Sequence, residues 1–166
     1  LPQLPSVDDI FDLIDGTNDS SAGPDGIPFA MYRASNRVGS ELAEVLHSIM
    51  VLMANGELPP SGYNHGLLYL IPKKDTLLVG DTRPISVTNS DNRILAKAFT
   101  EAITPALQLL LDPDQKGFVP GRVGTDHVHK LTQDFYSKLR AKEQHYILLL
   151  DTARAFDSVS HNFIHA

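Results

Sequence analysis

Tyr146-Ile-Leu-Leu-Leu150 is an unbroken apolar run that stops on a carboxylate, Asp151. With His145 in front of it, the run reads as a strand over 145–151, too short for a core helix. A strand this apolar has to be buried. Most of the remaining chain carries helical spacing, so few strands must be combined with many helices, and the fold class expected is α/β (α+β). At 166 residues the chain is one domain or an incomplete one. With 42% hydrophobic residues it can build a sizeable core, and a domain of this length buries roughly 70% of its extended surface.

The rest of the chain is punctuated clearly. Ser6-Val-Asp-Asp9 reads as a capping box with Asp in the last place, opening an amphipathic helix through about Asp15. A thirteen-residue stretch dense in turn formers, Gly16 to Pro28, follows, and Pro28 suits the first turn of the next helix. From Val38 to about Asn55 the residues Leu42, Val45, Leu46, Ile49, Leu52 and Met53 keep helical spacing, ended by Gly56 and the Pro59-Pro60 pair. Gly66 to Ile71 reads as a buried strand. With Thr82 to Thr88 it predicts a hairpin whose tip, Lys73 to Asp81, is polar. Residues 91–111 predict a long helix interrupted or kinked at Pro105. Asp112 to Arg122 is a second polar loop, and Gly124 to about Lys142 another amphipathic helix.

Charge divides the chain. Residues 1–60 hold nine acids against Arg33 and Arg37, a balance of −7, while residues 61–166 hold twelve bases against eleven acids. The overall −6 argues against a global field that attracts nucleic acid, so any phosphate-handling surface must be a local cluster in the second part. Zero cysteines exclude disulfides and thiolate metal sites, and fit an intracellular address, nucleus or cytoplasm. No apolar run of about 18 residues exists, which predicts no membrane partner, and no secretory signal is visible. The start at Leu1 suggests an excised segment.

Chemistry concentrates at Asp151. A carboxylate at the end of a buried strand sits at the sheet edge, where α/β sites cluster, and it suits a hard cation such as Mg²⁺. The bland alternative is that it caps the following turn. The surrounding run, Leu148 to His161, resembles the first palm motif of reverse transcriptases, in which a strand ends in Asp and continues x-x-(Lys/Arg)-Ala-Phe-Asp; Arg154 fills the basic place. Four further blocks agree in order. Gly23-Pro-Asp-Gly-Ile-Pro28 resembles a signature of LINE-type (non-LTR) enzymes, and Asn55-Gly-Glu-Leu-Pro59 their Gly-x-Leu-Pro turn. Leu70-Ile-Pro-Lys-Lys74 with Arg83-Pro-Ile-Ser86 resembles the fingers hairpin. Gln115-Lys-Gly-Phe-Val-Pro-Gly-Arg122 resembles the Gln-x-Gly-Phe-x-x-Gly-Arg block.

That resemblance implies a partial right-hand polymerase domain over 1–166. About 1–144 would be fingers and adjoining palm helices, and about 145–166 the first catalytic palm strand and the start of the next helix. The implied reaction is two-metal nucleotidyl transfer by an RNA-directed DNA polymerase, with an RNA template, a DNA primer and dNTP as partners. Two Mg²⁺ ions (or Mn²⁺) would be held by Asp151 and the backbone carbonyl of Thr152. Phe156 matches the steric gate that excludes a ribonucleotide 2′-hydroxyl, against ordinary core packing as the plainer role. Lys73 and Arg83 match the cations that grip the triphosphate, with Lys74 as an alternative to Lys73. Gln115, Gly117 and Arg122 match the block near the template and nascent base pair, where Gly117 and Gly121 allow close backbone approach.

Other residues attract plainer readings. Asp157 is expected to cap a helix starting near Ser158–Ser160, and Asp25 to form a turn. His127 and His129, two apart on a helix, face different directions and make no metal pair. Asp91-Asn-Arg93 and Glu101-Ala-Ile-Thr-Pro105 depart from the family pattern, and no Asp-Asp pair follows Asp151. The expectation is therefore a fragment inactive alone, the alternative being a decayed or domesticated RNA- or protein-binding relic.

Overall fold

The computed structural model describes residues 3–73, 78–142, 144, 146–151 and 159–164. It resolves into two compact units, Leu1–Asp112 and Pro113–Ala166. Helices and one small antiparallel sheet make up the regular structure, as the α+β reading requires.

The first unit holds the core. Helix α1, Val7–Asp15, opens on the expected capping box: the Asp9 N–H donates to the Ser6 hydroxyl and the Ser6 N–H to the Asp9 carboxylate. These bonds from Ser6 hold the Asp9 carboxyl below its usual range. Helix α2, Phe29–Asn36, begins one residue after Pro28, which occupies the N-cap position. Helix α3, Glu41–Ala54, starts three residues later than its apolar spacing predicts. Gly39 and Ser40 lie outside it, glycine being a poor helix former, and the Ser40 hydroxyl reaches forward to Glu44. Gly56, at φ +89, follows the end of α3, as a helix-terminating glycine should.

Helix α4, Ser90–Leu110, runs through Pro105 without interruption. Proline removes only the bond to the Glu101 carbonyl, and the Thr100 and Thr104 hydroxyls donate to the carbonyls of Ala96 and Thr100 on the preceding turns. Each helix contributes one stripe to a shared core: Ile10, Leu13 and Ile14 from α1, Phe29 and Tyr32 from α2, Ala43, Leu46 and Met50 from α3, and Ile94, Leu95 and Ala98 from α4. Ile10, Ile14, Met50, Ile94 and Leu95 are essentially sealed from water, each worth roughly 1.5–3 kcal/mol of apolar burial.

Between α3 and α4 stands the hairpin. Strands β1, Gly66–Pro72, and β2, Thr82–Thr88, pair antiparallel from Gly66↔Thr88 to Pro72↔Thr82. The hairpin stands where it was expected but is not buried, because every residue of β1 is exposed. Two strands satisfy one hydrogen-bond ladder and bury neither face unless something lies over them. Among the described residues no helix packs broadly on this pair.

The second unit contains helix α5, Thr125–Ala141, and the short α6, His161–Ile164. No residue of α5 is buried. Of the strand expected over 145–151, the described residues 146–151 are exposed and carry no ladder. A strand exists only through its pairing, and the one ladder among the described residues is β1–β2.

Candidate functional site

A network of long-range polar contacts lies at the start of α4. Asn89 accepts the Asp25 N–H on its side-chain oxygen (3.2 Å), and the buried Ser90 hydroxyl donates to the Ile27 carbonyl (2.7 Å). Asn92 donates to the Tyr63 carbonyl (3.2 Å) and the Asn64 side-chain oxygen (2.8 Å). The Arg93 guanidinium donates to the Ser20 hydroxyl (2.9 Å) and the Ser21 carbonyl (2.7 Å), and stacks 4.5 Å over the Phe29 ring. Four residues, Asn89, Ser90, Asn92 and Arg93, thus hold the loop before α2 and the approach to β1.

The loop is built for this embrace. Gly23-Pro24-Asp25-Gly26 closes a turn through the Gly26 N–H and the Gly23 carbonyl, and the Asp25 carboxylate accepts the Ile27 N–H. Asp25 is therefore the turn former that its context suggests. A Cβ on Gly23 would stand 2.5 Å from the Asn89 backbone nitrogen, so the side chain is missing where the two segments touch. Tyr32 and Tyr63 belong to the same corner. Burial, then the charges of Asp91 and Asp25, pushes the Tyr32 hydroxyl up to about 12; burial and then Asp91 raise that of Tyr63 as well.

Lys73 and Arg83 lie together at the far end of the hairpin. Arg83 is directly paired with Ile71, Lys73 follows two positions on, and the Lys73 N–H donates to the Asp81 carbonyl at 2.8 Å. Both residues are exposed, and among the described residues neither enters an ion pair with Asp or Glu. Strand pairing, not a core, brings these two cations together.

In the second unit, Gln115, Gly117 and Arg122 form one closed loop. The Gln115 amide donates to the Gly117 carbonyl (3.0 Å) and Arg122 to the Gln115 carbonyl (2.8 Å). Gly121 has φ +77 and needs glycine; Gly117 does not, and a Cβ there would meet only the Gln115 amide at 3.8 Å. Lys130 grips Asp114 through both carboxylate oxygens and Lys116 pairs with Asp126, tying the loop to α5. The Lys130 contact holds the Asp114 carboxyl below its usual range. Phe118, at φ +60, projects fully into solvent.

Asp151 is exposed at the end of the apolar run. Its oxygens are the donors a hard cation takes, and one carboxylate can serve when phosphate oxygens and water complete the shell. Among the described residues no cluster of three or more His, Asp or Glu could hold an ion. His127 and His129 both lie on α5, two positions apart, as expected. Lys74, Thr152, Arg154, Phe156 and Asp157 lie outside the described residues.

Sequence reading passed over Asn92 and Arg93, which it met only as a departure from a family pattern. The available signal was local: Asn89-Ser-Asp-Asn-Arg93 places five polar residues at the mouth of a long helix, more than capping requires.

Residues 71–165 match the family described as "Reverse transcriptase (RNA-dependent DNA polymerase)". Over 149 residues, 89% of the chain, it is 31% identical to the Transposon TX1 uncharacterized 149 kDa protein of Xenopus laevis. The chain spans 11% of that protein's length. Among the described residues no helix is long and apolar enough to cross a membrane.

Proposed function

The chain belongs to the reverse transcriptase family, and from that premise we propose that it supplies the fingers and the opening of the palm to an RNA-directed DNA polymerase of a LINE-type retroelement. The observation that carries this reading is positional. The matched stretch, residues 71–165, includes Lys73 and Arg83 at the far end of the hairpin and the exposed Asp151. In this reading residues 1–144 are fingers and adjoining palm helices, and the palm begins at about 145.

Each residue has a job set by its chemistry. Arg83 offers a planar fork to triphosphate oxygens and Lys73 a point charge, with Lys74 beside it. Asp151, with the Thr152 carbonyl, holds divalent ions, Mg²⁺ or Mn²⁺. Such ions, when bound, activate the primer 3′-hydroxyl and stabilise the departing pyrophosphate. Phe156 rejects the 2′-hydroxyl of a ribonucleotide by clash. The Gln115–Arg122 loop, with Gly117 open, lies near the template. The partners are an RNA template, a DNA primer and dNTP, met inside the cell. The likeness to a transposon protein supports the retroelement source.

The test is primer extension on an RNA template by the whole natural open reading frame that carries these residues, with Mg²⁺ present or absent. Incorporation is expected to need the ion and to fall at least about a hundredfold in Asp151→Asn. Equal incorporation by both proteins would remove Asp151 from the site, and none by the unsubstituted protein would leave the relic reading standing.

A further inference from the structure

The hairpin poses a mechanical problem. Every residue of β1 is exposed and no helix packs broadly on it among the described residues, so packing does not set its direction. Yet its far end carries the two cations assigned to the triphosphate. Seven residues at about 3.4 Å each put that end roughly 20 Å from the root. A tilt of about 5° at the root therefore moves the cations by roughly 2 Å, enough to spoil an oriented contact.

The root is held from two sides. β2 runs at Thr88 through Asn89 into α4, so continuity anchors that strand. β1 has no such continuity with a helix. It is tied through residues 63–64, where the Asn92 amide donates to the Tyr63 carbonyl and the Asn64 side-chain oxygen. Tyr63 is itself buried in the core. One side chain on the first turn of α4 thus closes the ring between the two strand ends.

We infer that Asn92 is a positioning residue for nucleotide binding, fixing the hairpin root so that Lys73 and Arg83 meet the triphosphate in one place. It touches no substrate and acts through the hairpin. The inference rests on the polymerase reading above and adds a residue to which that reading assigns no role.

The experiment is steady-state dNTP incorporation by the whole polymerase, beside hydrogen exchange of the hairpin amides. Asn92→Ala is expected to raise the KM for dNTP about three- to tenfold, the effect of one or two lost hydrogen bonds, with kcat changed less than about twofold. Exchange should quicken in β1 and β2 and stay unchanged in α1 and α3. Asn92→Asp, which keeps the volume and loses the donor, should act in the same direction, and Lys97→Gln, further along α4, should change neither readout. An unchanged KM in both Asn92 variants, or a fall in kcat alone, overturns the inference while leaving the polymerase reading intact. Unfolding of both variants also overturns it, making Asn92 simply structural. No incorporation by the unsubstituted enzyme removes the polymerase reading, and this inference with it.

Discussion

Residues 1–112 and 113–166 carry equally legible amphipathic patterns, yet among the described residues the buried cluster draws on the first unit. In α1, α3 and α4 the apolar stripes meet one another and are sealed. In α5 the corresponding stripe, Val128, Leu131, Phe135 and Leu139, remains open to water, and so do Tyr146 to Leu150. A stripe records that a segment requires cover. It does not say whether the cover lies within the same stretch of chain.

The sharpest way to break the contrast is a matched pair of truncations. Ile14→Ala, at a sealed position, is expected to cost about 2–5 kcal/mol in urea unfolding. Phe135→Ala, at a position 43% exposed, should stay within about 0.5 kcal/mol. Equal losses would mean that the second unit has a core after all.

Glycines give a second pair with a smaller effect. Gly23→Ala drives a methyl to 2.5 Å from the Asn89 backbone and should cost about 1–3 kcal/mol of thermal stability. Gly124→Ala meets nothing within 4 Å at an ordinary helical φ of −63°. It should be neutral, or stabilising by up to about 1 kcal/mol, by restricting the unfolded chain.

The smallest effect sharpens the account of the α4 corner. The Tyr32 hydroxyl titrates higher when folded, about 12 against 10.0, and that of Tyr63 is raised too. Their contribution is therefore complete below pH 10 and lost as pH rises from 10 towards 12. Screening by water at the helix end reduces its size. Alkaline unfolding of α1–α4, followed by circular dichroism, should begin in that window and move upward in Tyr63→Phe.

Local features were legible because local physics decides them. Ser6 and Asp9 announce the cap of α1, Gly56 the end of α3, and the segments Gly66 to Ile71 and Thr82 to Thr88 the hairpin. Lys73 and Arg83 stood out through the resemblance of their segments to a fingers hairpin, and the strand register sets them at one end of it. Three things were not legible. The run 146–151 looked like a buried strand, since periodicity reports apolarity and cannot report a missing pairing partner. β1 looked buried for the same reason. Arg93 and Asn92 were invisible because their partners, Ser20, Ser21, Tyr63 and Asn64, lie 28 to 73 residues away in sequence.

Hydrogen exchange on the 166-residue chain, resolved by peptide, tests the contrast most directly. Amides of α1, α3 and α4 should exchange only on global unfolding of their unit. Those of α5, a 17-residue helix without a sealed face and so marginal alone, should exchange orders of magnitude faster, as should 146–151. Slow exchange in α5 matching that of α3 would contradict the division into one unit with a core and one without.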